Sequence, residues 1–114
     1  MLLARVIGTV WATRKDEKLA GFKLQIVQHL DRQLKPLAGF LVAADSVGAG
    51  VGEVVLIAQG SSARQTALTT GKPVDAVIMA IVENLFLEDP AALEERYRQR
   101  LGPIQERLEA LQEN

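Results

Sequence analysis

Residues Asp45–Glu53, "DSVGAGVGE", carry glycine at every second position from Gly48 to Gly52. A dinucleotide-binding loop has the pattern G-x-G-x-x-G and leads from a strand into a helix. Here the pattern is G-x-G-x-G, and the next segment, "EVVLIAQ" (Glu53–Gln59), has the composition of a strand. No helix N-terminus follows to receive a pyrophosphate. We therefore interpret these glycines as builders of a turn between two strands, with positive φ and close backbone approach, and expect no nucleotide cofactor.

The segments around this turn have the composition of short β-strands. Five of them are rich in β-branched residues or alternate in polarity: Ala4–Thr13, Phe22–Leu30, Phe40–Asp45, Glu53–Gln59 and Val74–Leu87. Gly8 inside the first predicts a bulge or a tight bend. In the second, the alternation places Phe22, Leu24 and Ile26 on one face and Lys23 and Gln25 on the other. Residues 31–39, with a proline and a glycine, are predicted as a loop. The pattern predicts a mainly β chain, folded as a small barrel or sandwich.

Composition excludes several classes of protein. The chain of 114 residues has the length of one domain and contains no cysteine, which excludes disulfides and thiolate metal sites. A net charge of −1 gives no basic field for nucleic acid. The N-terminus leads directly into a strand pattern, and no apolar run is long enough to cross a bilayer. We expect a cytoplasmic protein without a nucleic-acid or membrane partner.

The last 27 residues differ from the rest in charge and in pattern. Residues 1–87 contain nine basic and seven acidic residues (net +2), whereas residues 88–114 contain four and seven (net −3), and the two sum to −1. We predict a β domain over 1–87 and a helical extension over 88–114. Asp89 and Pro90 have the chemistry of a helix cap and a first helical residue. Gly102 and Pro103 predict a kink or a division into two helices. An apolar stripe runs along the helix: Leu93, Tyr97, Leu101, Ile104, Leu108 and Leu111.

Candidates for catalysis are few. His29 is the single histidine, and a triad can be drawn from it with Ser46, Ser61 or Ser62 and with Asp45 or Asp75. No G-x-S-x-G elbow supports that triad, and one histidine gives no metal-binding spacing. We predict a surface histidine and no catalytic or metal site.

The polar stretch Gly60–Ala76 has two interpretations. It is either an ordinary connection or a contact loop in which Arg64 pairs with Asp45 or Asp75. Ser61 or Ser62 is placed to cap a short helical turn.

Three stretches together resemble the bacterial microcompartment vertex proteins, the EutN/CcmL family, over about residues 1–85. They are "ARVIGTVWATRK" (4–15), "LVAADSVGAGVGEVVLIAQGSSAR" (41–64) and "KPVDAVIMAIV" (72–82). The resemblance implies a five-stranded barrel like the OB-fold. It also implies a pentamer at the fivefold vertices of a protein shell in the cytoplasm, with hexameric and trimeric shell proteins as neighbours. It implies a structural protein with no enzymatic activity and no cofactor.

By the same resemblance, the glycine turn and the Gly60–Arg64 loop shape the barrel and the contacts between subunits. The candidate residues for these roles are Asp45, Ser46, Gly48, Gly50, Gly52, Ser61, Ser62, Arg64 and Asp75. The alternative function is a module that binds single-stranded nucleic acid or oligosaccharide, as other OB-like barrels do. One Trp, one Tyr and three Phe are few for a stacking platform.

The helical extension needs an apolar surface to pack against, because an isolated helix of this length is marginal. Its own barrel and a neighbouring subunit are both open as that surface. We expect it to lie along the outside of the barrel and to reinforce the ring. Five tails of net charge −3 would repel one another at a common axis. Glu94 and Arg98 are spaced for an i,i+4 ion pair.

Overall fold

The computed structural model describes residues 1–113, without the side chains of Pro103 and Glu113. It contains five strands and one long helix, with short 3-10 helices at Glu17–Leu19 and Gly60–Arg64. The long elements are β1 (Leu2–Val10), β2 (Leu24–Leu30), β3 (Pro36–Asp45), β4 (Val54–Gln59), β5 (Ala76–Val82) and α1 (Pro90–Glu113).

The five strands form a closed barrel in the order β1-β2-β3-β5-β4. Every neighbouring pair is antiparallel except β3 and β5, which are parallel where Ala44 pairs with Val77 and Asp45 with Ile78. This order confirms the expected OB-like barrel. Closure gives every strand a neighbour on both sides, although β3 meets β5 only at its last two residues, Ala44 and Asp45.

Two clusters of small and β-branched residues form the core. The larger cluster takes alternate residues from each strand, including Val6, Val27, Val55, Ile57 and Ile78, all fully buried. The second cluster comprises Ala44, Ala58, Ala63, Val74 and Val77, and it includes one residue of the second 3-10 helix. Side chains this small suit the interior of a narrow five-stranded barrel.

β2 faces the barrel in the opposite sense from the one its apolar residues suggest. Gln25 and Val27 are fully buried, whereas Leu24 and Ile26 are only half-buried. Alternation divides a strand into two faces but does not say which face is internal when both carry apolar residues. The register also shifts between Val6 and Gly8 of β1, which confirms the predicted bulge.

The β2–β3 hairpin is tighter than expected. β3 begins at Pro36, so only residues 31–35 form the turn, and the prediction of a loop as far as residue 39 is wrong. The Asp31 carboxylate accepts hydrogen bonds from the N–H groups of Gln33 and Lys35 at 2.8 and 3.0 Å. That local turn returns the chain early, and a proline at the first residue of a strand loses no ladder bond inside the strand.

The chain divides into two compact units, Met1–Glu83 and Asn84–Asn114. In the second, the Asp89 carboxylate accepts a hydrogen bond from the Ala91 N–H at 3.1 Å, as a cap does. The predicted Glu94–Arg98 ion pair is present at 3.4 Å.

α1 continues across Gly102 and Pro103 as one helix. A proline inside a helix removes one backbone bond and bends the axis, so a kink at this point stays a prediction. Among the described residues, no helix is long and apolar enough to span a membrane.

Replacing Ile57 with alanine should destabilise the barrel strongly. Ile57 is fully buried in the larger cluster, and removing such a side chain costs about 2–5 kcal/mol. Urea unfolding at fixed protein concentration measures this change. Leu37→Ala, at an exposed position of β3, is the control and should cost under about 0.5 kcal/mol. Equal midpoints for the two variants would contradict the core assignment.

Candidate subunit-contact site

The glycine turn begins at the end of β3 with a buried carboxylate. Asp45 is 8% exposed, and its Oδ1 accepts hydrogen bonds from the N–H groups of Val47 and Gly48 at 3.0 and 2.9 Å. This is a local side-chain turn of the kind that aspartate favours. It reverses the chain immediately after the strand, and Gly48 adopts φ +75° there.

A buried glutamine fixes the turn from the barrel side. Gln25 is fully buried. Its Nε2 donates to the Ala49 carbonyl at 2.7 Å and to Asp45 Oδ2 at 3.4 Å. Its Oε1 accepts the hydroxyl hydrogen of Thr9 at 2.8 Å. One amide therefore connects β1, β2 and the turn, and its polar atoms are satisfied, as burial requires.

The second half of the turn is held by β1 and by Glu53. The Gly52 N–H donates to the Val6 carbonyl at 2.7 Å, and the Val6 N–H donates to the Glu53 carbonyl at 3.0 Å. The Glu53 carboxylate accepts the Gly50 N–H at 2.7 Å. Gly52 has φ +94°, which a residue with a side chain adopts only with strain. The turn is rigid because both of its ends are bonded to the barrel.

These bonds explain why a glycine-rich loop here differs from a phosphate cradle. A phosphate-binding loop leaves its N–H groups free to point at the anion. In this turn, carboxylates of Asp45 and Glu53 already accept the N–H groups of Val47, Gly48 and Gly50. The same carboxylates would repel an anion. The geometry favours the interpretation of the glycines as turn-builders.

The second candidate loop is hydrogen-bonded to backbone carbonyls just before β5. Arg64 donates from Nη1 to the Val74 carbonyl at 3.2 Å, and the Gly60 N–H donates to the Asp75 carbonyl at 2.7 Å. The pairing of Arg64 with Asp45 or Asp75 is not seen: the ion pairs of the described residues both lie in the second unit. Gln59, not a serine, stands at the N-cap, and it provides no side-chain bond. Ser61 and Ser62 are exposed.

Two residues of the possible triad, Ser46 and Asp45, are engaged in hydrogen bonds to backbone groups. The Ser46 hydroxyl donates to the Ile78 carbonyl, and the Asp45 carboxylate is bonded to the turn. His29 is half-buried rather than on the surface, and its Nε2 is buried without a hydrogen-bond partner among the described residues. In the same part of the chain, no cluster of His, Asp and Glu has the geometry to hold a metal ion.

Large apolar side chains are exposed beside the turn and on the outer face of the sheet. Val51, in the turn, is 65% exposed, and Phe40, on β3, is 67% exposed. The register pairs Phe40 with Gln28 and Val42 with Ile26, so these residues share the outer face. A rigid turn and an apolar sheet face are features of a protein-contact surface. The sequence indicated the turn as a candidate contact but not the sheet face, because Phe40 and Val42 resemble core residues when only their type is known.

A shallow groove at the end of β1 is the place where the alternative OB-type function would be expected. Its lining includes Trp11, Lys15, Phe22 and Lys23. Trp11 is highly exposed, but Phe22 is half-buried and packs against the second core cluster. One available aromatic ring is a poor platform for successive bases, which need several.

Replacing Gly48 with valine should damage the turn more than replacing Gly50 with alanine. Gly48 has positive φ, where a β-branched residue costs on the order of 1–2 kcal/mol. At Gly50, φ is not positive, and a Cβ would meet only Glu53 Oε1, at 3.3 Å, which can move. Thermal melting of the two variants gives the comparison. A Gly48 variant as stable as the wild type would refute the role of the turn.

Replacing Asp45 with alanine should destabilise the barrel by about 1–3 kcal/mol, because the buried Gln25 amide and the turn N–H groups lose an acceptor. Asp45→Asn keeps one acceptor oxygen for the turn and should lose less. Urea unfolding separates the two variants. If both variants unfold at the same urea concentration as the wild type, the carboxylate does not hold the turn.

The similarity of this chain to known proteins covers the barrel. The family model described as "Ethanolamine utilisation protein EutN/carboxysome" matches residues 1–83. The carboxysome shell vertex protein CcmL of Synechococcus elongatus is 43% identical over 96 residues, which cover 84% of this chain and 97% of that protein.

Solved structures agree with this match. CcmL of Gloeobacter violaceus superposes with a TM-score of 0.74 and 41% identity, covering 77% of this chain and 91% of that one. GrpN, a pentameric microcompartment shell protein from Rhodospirillum rubrum, gives a TM-score of 0.71 and 42% identity, covering 77% of this chain and all of that one. On the family model, the sequence identities and the shared fold together, the chain belongs to the EutN/CcmL family.

Proposed function

We propose that this chain is a structural subunit of a bacterial microcompartment shell, in which five copies form a closed ring that occupies the fivefold vertices. The observation that carries the proposal is the family match over the whole barrel. It is supported by relatives that are themselves shell vertex proteins, one of them described as pentameric.

The surface of the barrel suits a ring. A closed ring of identical subunits uses a heterologous interface, in which one patch of each copy meets a different patch of the next. We assign the glycine turn with Val47 and Val51, the Gly60–Arg64 loop, and the outer face at Phe40 and Val42 to these contacts. Several of these apolar side chains are exposed in the single chain, and burying them in the ring would remove them from water.

The rigidity of the turn supports the same role. Contacts repeated around a ring must hold one angle, because a small error in each would prevent closure. The bonds of Asp45, Gln25 and Glu53 hold the turn backbone on the barrel. The exposed Ser61, Ser62 and Asp75 are assigned to the polar rim of the interface.

The proposed role is non-enzymatic. Ser46 and Asp45, two candidates for a triad with His29, bond to backbone groups, which favours a structural use of these residues. A flat layer of six-sided tiles closes into a polyhedron when tiles with fewer sides, such as five-sided ones, are added. We therefore propose that the neighbours of the ring in the shell are hexameric and trimeric shell proteins. The shell is proposed to lie in the cytoplasm, and neither nucleic acid nor a membrane is proposed as a partner.

Native mass spectrometry of the full chain at micromolar concentration tests this proposal, and the expected mass is that of five copies. Val51→Asp and Phe40→Asp each introduce a charge on a proposed contact and should shift the population toward smaller species. Gln33→Asp makes the same change of charge in the 31–35 turn and should leave the ring intact. A wild-type mass of one or two chains would overturn the proposal.

A further inference from the structure

The apolar stripe of α1 is exposed in the single chain. Leu93, Tyr97, Ile104, Leu108 and Leu111 are 50 to 72% exposed. The helix lies beyond residue 83, where the family model ends. A stripe of this length along a helix favours contact with another surface.

The spacing of the stripe indicates the kind of surface. Tyr97, Leu101, Ile104, Leu108 and Leu111 follow one another at intervals of 4, 3, 4 and 3 residues. This is the heptad pattern, with leucine at the a positions (101 and 108) and Tyr97, Ile104 and Leu111 at d. A helix that docks on a globular surface usually has a wider stripe that also includes e or g positions.

The residues that flank the seam are polar. The e positions carry Arg98, Gln105 and Gln112, and the g positions beside the seam carry Arg100 and Arg107. The apolar band over Tyr97–Leu111 therefore has the narrow width that is typical of a coiled-coil seam, and it ends before Glu94, which would occupy the preceding a position. This pattern argues against the expected position along the barrel and in favour of another helix as the partner.

The flanking charges distinguish the two orientations of such a partner. In a parallel, in-register pairing, g residues meet e residues of the next helix, which places Arg100 near Gln105 and Arg107 near Gln112. In an antiparallel pairing, g residues meet g residues, which would place Arg100 near Arg107. Like charges in that position repel. The sequence thus favours parallel helices, the only arrangement that a rotational ring gives to equivalent elements.

The seam residues also favour more than two helices. At the centre of the seam, leucine at a (Leu101 and Leu108) flanks isoleucine at d (Ile104), a combination that shifts parallel coiled coils from dimers toward trimers and tetramers. The outer d positions, Tyr97 and Leu111, do not follow this combination. A ring would hold five copies of α1 on short connections, residues 83–89, and so at high effective concentration. This tethering favours a contact between helices whose two heptads would be marginal alone.

The net charge of −3 does not oppose this assembly. Glu95, Glu106 and Glu109 lie at b and f positions, away from the seam. Glu88 pairs with Arg96, and Glu94 with Arg98. The repulsion expected between acidic tails is therefore reduced by local pairing and by solvent between the outer faces.

We propose that the α1 helices of five copies form a parallel, in-register bundle through the Tyr97–Leu111 seam. By symmetry, a bundle shared equally by five copies surrounds the fivefold axis. The proposal rests on the ring proposed above and adds a second, helical contact to it.

Cysteine cross-linking of the full chain tests the bundle. Because the chain contains no cysteine, only the introduced thiol can react. Leu108→Cys places a thiol in the seam, and Glu106→Cys, two residues away at an f position, is the matched control. After treatment with a short bis-maleimide, the seam variant should give covalently linked chains at several times the yield of the control. The linked species should keep the native mass of one ring.

Each other outcome contradicts a defined part of the proposal. Intact rings with equal yields for the two variants would overturn the bundle and leave the vertex function standing. Links that appear only in species of ten chains would show pairing between rings and would also overturn it. Loss of the five-copy mass in the wild type would refute the ring itself. As a second measure, Ile104→Asp should lower the melting temperature of the ring, whereas Gln99→Asp, at an f position, should not.

Discussion

The hydrogen bonds of one buried amide connect the parts of the barrel that must stay in register. Gln25 joins Thr9 of β1, its own strand β2, and the turn after β3. A glutamine in an otherwise apolar interior is tolerated only when its donors and acceptors are satisfied. If the turn moved, these groups would be buried without hydrogen-bond partners, which is unfavourable. The buried amide therefore favours the observed position of the turn over displaced ones.

The hydrogen-bond partners of the turn N–H groups also distinguish this barrel from glycine-loop enzymes with a similar sequence pattern. The chain supplies carboxylates to its own turn N–H groups, at Asp45 and Glu53. In a ligand-binding loop, the ligand accepts the hydrogen bonds of the backbone N–H groups. Glycine spacing alone gives a weak signal, whereas the presence of an acidic residue at each end of the glycines indicates which use applies.

Features that depend on neighbouring residues could be predicted from the sequence. The bulge at Gly8, the cap at Asp89 and the positive φ of Gly48 all follow from local backbone chemistry. The inward position of Gln25 could not be predicted, because both faces of β2 carry apolar residues and only the closed barrel determines which is internal. The early start of β3 at Pro36 depended on the Asp31 turn, whose hydrogen bonds the composition of residues 31–39 does not reveal. For the candidate contact site, the resemblance indicated the turn, but the exposure of Phe40 depends on the barrel as a whole.

The parallel pairing of β3 with β5 has a consequence for the order in which the protein can mature. β5 comes last among the strands in the chain but lies between β3 and β4 in the barrel. Until residue 82 has been synthesised, β3 and β4 each have an unpaired edge, and such edges promote aggregation. A nascent chain therefore cannot present a finished barrel before its last strand is available. In the growing polypeptide, α1 follows that strand, so barrel closure can precede the proposed contact between helices of different copies.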